Sequence, residues 1–99
     1  MDPMPLEIIA DAERDIDETF EWYLARSSDA AANFILALND AMQRISAQPE
    51  LWPAYDENTR SCPLRKYPFR VVFMNLPDRV RVIAVAHLRR SPGYWKGRA

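Results

Sequence analysis

The two residue types that most readily move a proton near neutral pH each occur once in this sequence: His87 and Cys62. They lie far apart, with no second His or Cys to complete a ligand set, so no metal site is expected and no cofactor is implied. The remaining chemistry is cationic. Arg70, Arg81 and His87 alternate with apolar residues along two β-branched runs, and Arg89, Arg90, Lys96 and Arg98 surround Tyr94 and Trp95. Such a set suits contact with an anionic partner. His87 taken alone reads as a hydrogen-bonded residue ending a strand; only closeness to Arg70 would raise it to a general base.

The elements that must position these residues lie between Leu64 and Trp95. Two runs, Leu64–Asn75 and Val80–Arg90, flank the turn Leu76-Pro77-Asp78-Arg79 and predict a β-hairpin. Pairing centred on Pro77-Asp78 sets Phe69 opposite Ala86, Val71 opposite Ala84 and Phe73 opposite Val82. Strand alternation then gathers Tyr67, Phe69, Val71, Phe73, Val80, Val82, Ala84 and Ala86 on one apolar face. Its small alanines leave room for a helix. Arg70, Val72, Met74, Arg81, Ile83, Val85 and His87 fall on the other face, expected to remain a half-exposed basic surface.

Ninety-nine residues, 48% of them hydrophobic, make a single folded domain spanning residues 1–99. A lone cysteine excludes an internal disulfide, and a reducing, cytoplasmic setting follows as the expectation. No stretch approaches the ~20 apolar residues of a membrane span, and the first residues lack a signal peptide's basic cluster. The net charge of −1 conceals a division: residues 1–58 carry thirteen Asp and Glu against three arginines, whereas residues 59–99 carry ten Lys and Arg against Asp78 alone. Either the second half meets an anionic partner, or the halves neutralise one another within the fold.

Met4–Ile9 predicts a short edge strand. Ala12, Ile16, Phe20, Tyr23 and Leu24 then recur with helical period, predicting a helix over 11–26 with Asp11 as its cap. Trp22 lies off that stripe: it either covers a neighbouring loop, the preferred reading, or stands as an exposed anchor for a partner. Ser27-Ser28-Asp29 opens a second helix over 28–48, with Ala31, Phe34, Ile35, Leu38, Ala41, Met42 and Ile45 inward, ending ahead of Pro49. Pro49–Thr59 is a loop pinned by Leu51, Trp52 and Tyr55, and Arg60–Lys66 a strand placed at a sheet edge by Pro63. The order defines an α+β domain: an N-terminal strand and an antiparallel helical hairpin packed on one face of a C-terminal antiparallel β-sheet.

Nearly the whole chain resembles the RelE/ParE superfamily of toxins from type II toxin–antitoxin modules. The resemblance rests on Ala12 through Tyr23, Ala30-Ala31-Ala32-Asn33-Phe34, Pro49, Leu64-Arg65-Lys66-Tyr67-Pro68-Phe69-Arg70-Val71-Val72-Phe73, and His87-Leu88-Arg89-Arg90-Ser91-Pro92-Gly93-Tyr94-Trp95. The Tyr-Pro-Phe-Arg entry and the tail look most like ParE-type plasmid-stabilisation members. The resemblance implies a RelE/ParE-like fold and a ParD-like antitoxin whose acidic, amphipathic C-terminal segment covers the toxin. Arg60, Lys66, Arg70, Arg81 and Arg89 are the residues expected to meet it.

The superfamily's activities divide into two. RelE-type members cut mRNA on the ribosome, and by this resemblance Lys66, Arg70, His87 and Tyr94 would form the catalytic set. ParE-type members poison DNA gyrase by binding it, which would assign target contact to Arg89, Arg90, Tyr94, Trp95, Lys96 and Arg98. With only two lysines and a slight negative charge, the chain departs from the ribosome-dependent enzymes, and the gyrase reading is preferred. A non-toxic adaptor domain is the third reading. Neither leading activity requires a cofactor or a membrane.

Overall fold

Helix formation begins where the extended N-terminal residues give way to the 3.6-residue stripe. The computed structural model describes residues 2–90 and 93–98. It has β1 (Leu6–Ile8), α1 (Ala10–Leu24), α2 (Ser28–Ala47), a single 3-10 turn (Pro49–Leu51), β2 (Arg60–Pro63), β3 (Phe69–Asn75) and β4 (Val80–His87). The cap of α1 is Ile9, with no side-chain bond; Asp11 lies inside the first turn with Glu13, where both favour the positive end of the helix dipole. Ser27 caps α2, its Oγ accepting from the Ala30 N–H at 3.2 Å. Ala31, Phe34, Leu38, Ala41, Met42 and Ile45 are all buried, as their period predicts.

The sheet has the order β1-β4-β3-β2. The three later strands are antiparallel, while β1 joins the edge parallel to β4, with Leu6 opposite Val80 and Ile8 opposite Val82. The sheet is therefore mixed.

The hairpin register holds only near its turn. Phe73 does face Val82, but Val72 faces Ala84, so Ile83 is skipped; beyond this bulge Val71 meets Val85 and Phe69 meets His87. One extra residue reverses every later side chain. Val85 consequently joins Phe34, Leu38, Ile45, Val71, Phe73, Val80 and Val82 beneath the helices, and Ala84 and Ala86 pass to the opposite layer.

That opposite layer is a second core rather than a free basic surface. Val72, Ile83, Ala84 and Ala86 are buried under Trp95, with Tyr55, Met74 and Tyr94 packed around them. Tyr55 and Trp95 lie 5.1 Å apart between ring centres, so the loop before β2 and the C-terminal segment close over the sheet together. Leu51 does not pin that loop, being 66% exposed, and Leu24 ends α1 outside the core. Among the described residues no helix is long and apolar enough to cross a membrane.

Candidate functional site

Unequal strand lengths create the first polar feature. Only Val80–Val82 of β4 are paired by β1, so that among the described residues the outer backbone edge of its second half has no partner strand. Buried backbone donors and acceptors must find partners, and here two side chains supply them. Asp15 of α1 accepts from the Val85 N–H at 3.0 Å, and Arg98 donates to the Ile83 carbonyl at 3.1 Å. Asp15 and Arg98 also pair with each other through two bonds, 2.7 and 3.3 Å long. A parallel strand residue opposite Ala84 would donate to Ile83 and accept from Val85. The ion pair stands in for that residue.

Tyr94 completes this cluster, donating its hydroxyl to Asp15 at 3.3 Å. Burial, then the neighbouring Asp15 charge, pushes the phenol up to about 12, so it stays protonated at neutral pH. The guanidinium groups of Arg90 and Arg98 lie 4.2 and 4.9 Å from its ring centre. The Asp15 hydrogen bond, more than its charge, holds the Arg98 guanidinium protonated, raising its already high pKa. Tyr94 and Arg98 are thus structural members of the C-terminal segment.

The four residues of the nuclease set do not converge. Arg70 lies on the rear layer, its guanidinium 4.7 Å from the Tyr55 ring centre and 3.5 Å from the Ser61 Oγ. His87 lies on the helix side, 5.0 Å from Phe69 between ring centres, and its Nδ1 accepts from the Arg89 N–H at 3.0 Å. The bulge at Ile83 separates the two: without it both would share one face. Lys66 is exposed in the turn between β2 and β3, at φ 68°. Tyr94 is committed to Asp15.

The cations expected to meet an antitoxin also divide. Arg60 donates to the Trp52 carbonyl at 2.6 Å and holds the preceding loop. Arg81 and Arg79 share one Glu7 oxygen at 2.7 and 2.9 Å, and these bonds, Arg81 first, hold Glu7 below the usual carboxylate range. Glu7–Arg81 and Asp15–Arg98 join the acidic and basic halves, so part of the charge division is neutralised inside the fold. Lys66 and Arg89 remain exposed and pair with no carboxylate among the described residues.

Of the residues expected to meet a target, Arg89, Arg90 and Lys96 are exposed, whereas Trp95 is only 2% exposed and belongs to the rear core. Ser91 and Pro92 of the quoted tail lie outside the described residues. Among the described residues no cluster of His, Cys, Asp or Glu could hold a metal ion.

Sequence reasoning passed over a groove of about 440 Å³ between the end of α1 and the hairpin, lined by Glu18, Thr19, Trp22, Tyr23, Pro68, Phe69 and His87. Trp22 is 53% exposed at its lip, with the Arg26 guanidinium 3.6 Å from its ring centre. Its departure from the apolar stripe was the available signal. Asp15 was also missed, although an acid three residues after buried Ala12 and adjacent to Ile16 sits at the border of the inward face.

Two helices against one face of a four-stranded mixed sheet are an α+β arrangement that solved structures share. The fold matches the chromosomal ParDE toxin–antitoxin system of P. aeruginosa with a TM-score of 0.75 and 15% identity, over 85% of this chain and 95% of that one. It matches the toxin–antitoxin complex RelBE2 of Mycobacterium tuberculosis with a TM-score of 0.59 and 19% identity, over 88% and 93%. Comparison with curated proteins finds no match. Residues 6–92 match the family described as ParE toxin of the type II toxin–antitoxin system parDE, and the chain belongs to that family. It is a type II toxin.

Proposed function

We propose that this toxin acts in the cytoplasm by binding DNA gyrase, with no bond-breaking chemistry of its own, and that a ParD-like antitoxin neutralises it. The observation that carries this reading is the placement of Arg70 and His87 on opposite layers of the sheet. Cleavage of RNA by 2′-hydroxyl attack requires a base and a phosphate-binding cation around one reacting group, the base within about 3 Å of its proton. Here the sheet lies between them, and Tyr94 keeps its proton. ParE family membership supports the same choice. Target contact falls to the exposed Arg89, Arg90 and Lys96, while Tyr94, Trp95 and Arg98 hold that segment in place.

The test is a supercoiling and cleavage-complex assay with purified gyrase beside an mRNA cleavage assay on translating ribosomes. Inhibition of gyrase is expected, with His87→Ala as active as the parent. Codon-dependent mRNA cleavage that Arg70→Ala or His87→Ala abolishes, with gyrase unaffected, would reverse the assignment.

A further inference from the structure

We infer that Asp15, on α1, is the residue that orients the target-contacting segment, aiming Arg90 and Lys96 at gyrase without touching gyrase itself. The inference rests on the reading of this chain as a gyrase-binding toxin. Among the described residues the backbone of 93–98 bonds only within itself, the Lys96 N–H to the Gly93 carbonyl at 2.9 Å and the Arg98 N–H to the Trp95 carbonyl at 3.0 Å. Attachment to the rest of the molecule therefore falls to side chains. Trp95 supplies adhesion, packed at 2% exposure with Val72, Ile83, Ala84 and Ala86. Burial of apolar surface has no preferred direction, so an indole alone holds the segment down without fixing how it is turned.

Direction comes from hydrogen bonds. Among the described residues four side-chain bonds leave the segment, and three of them end on Asp15: one from the Tyr94 Oη at 3.3 Å and two from Arg98 at 2.7 and 3.3 Å. The fourth, to the Ile83 carbonyl, comes from the same Arg98 guanidinium. Asp15 is itself fixed to the sheet by the Val85 N–H, so its Oδ2 gathers donors from β4, Tyr94 and Arg98. Two points of attachment, at 94 and 98, set the course of the backbone between them, which carries Lys96. Tyr94 passes the constraint to Arg90, whose guanidinium lies over the ring at 4.2 Å from its centre. A guanidinium held on an aromatic face gives up rotamer freedom and keeps its donors for a partner. Asp15 is only 12% exposed, so it acts through these residues. It is a positioning residue. Arg89 has no such link, since its N–H goes to the His87 Nδ1.

The experiment is a double-mutant cycle read in gyrase supercoiling inhibition, with the folded fraction of each protein measured alongside. Asp15→Asn is expected to weaken inhibition by about 10-fold per folded molecule. Glu13→Gln, which removes an exposed charge from the same helix, should leave it unchanged. Lys96→Glu should cost markedly less in the Asp15→Asn background than alone, whereas Arg89→Glu should cost the same in both. Loss through unfolding would scale every variant equally and leave both cycles additive, which would overturn the inference. A second readout needs no target: NMR contacts between the Tyr94 ring and the Arg90 side chain should be present in the parent and in Glu13→Gln, and absent in Asp15→Asn with the core signals intact. Their persistence in Asp15→Asn would overturn the positioning role whether or not gyrase is the target. A parent protein that leaves gyrase untouched, while Asp15→Asn loses those contacts, would overturn the gyrase reading and keep Asp15 as the residue that orients the segment.

Discussion

Asp15 and Arg98, 83 residues apart in sequence, meet at 2.7 Å and together occupy the hydrogen-bonding position of a missing strand residue. The pair is largely buried, with side chains 12% and 18% exposed. Its removal therefore affects two backbone groups as well as two charges. Asp15→Asn is expected to lower the unfolding free energy by about 1–3 kcal/mol, because buried donors are left poorly paired. Asp15→Asn combined with Arg98→Gln should cost less than the sum of the single changes. Urea denaturation of the four proteins measures this, and strict additivity would dissociate the two residues.

Tyr94 gives the fold an alkaline limit. Its pKa rises from 10.0 to about 12, so the folded state binds this proton more tightly than the unfolded chain. The sign follows from linkage: the contribution is intact below pH 10, and it declines as pH rises towards 12. Tyr94→Phe should flatten the denaturation midpoint across this interval. A midpoint falling as steeply in the variant would place the transition elsewhere.

Trp95 tests the distinction between a contact residue and a core residue. Trp95→Ala should lower stability by about 3–5 kcal/mol, as expected for a truncated core aromatic. Any accompanying loss of gyrase inhibition should track the unfolded fraction. Lys96→Glu should weaken inhibition with little change in the thermal midpoint. Inhibition lost in a fully folded Trp95→Ala protein would return the indole to the target surface.

The bulge can be probed from both sides of the sheet. Ala84→Phe should overpack the rear layer and cost about 1–3 kcal/mol, with a change in Trp95 fluorescence. Val85→Ala should open a cavity beneath the helices instead, leaving that fluorescence unchanged. The reverse pattern would restore the unbroken register.

The helices were legible because Ala31, Phe34, Leu38, Met42 and Ile45 repeat with a period no strand could use, and Ser27 marks the boundary. The hairpin was legible as an element but not as a surface. Ile83-Ala84-Val85-Ala86 is apolar throughout, so alternation carries no information about which residue is skipped, and the assignment of Arg70 and His87 to one face failed at that point. The rear core escaped for another reason: Tyr55 and Trp95 are distant in sequence and meet only across the sheet. The candidate site was legible in its cations, but not in which of them the fold would occupy.

The parallel pairing of β1 with β4 has a consequence for synthesis. The first strand of the chain hydrogen-bonds to the last, and Arg98 closes the same edge. The helical hairpin emerges from the ribosome before any strand it covers except β1, whose own partner has yet to be made. Contacts of such long sequence separation form late and make folding slow. The nascent chain consequently carries both helices, complete at residue 47, with their apolar faces uncovered until β3 and β4 follow, and the edge of β4 is closed only after residue 98 is free. A partner already present in the cell can meet those faces before the toxin is complete.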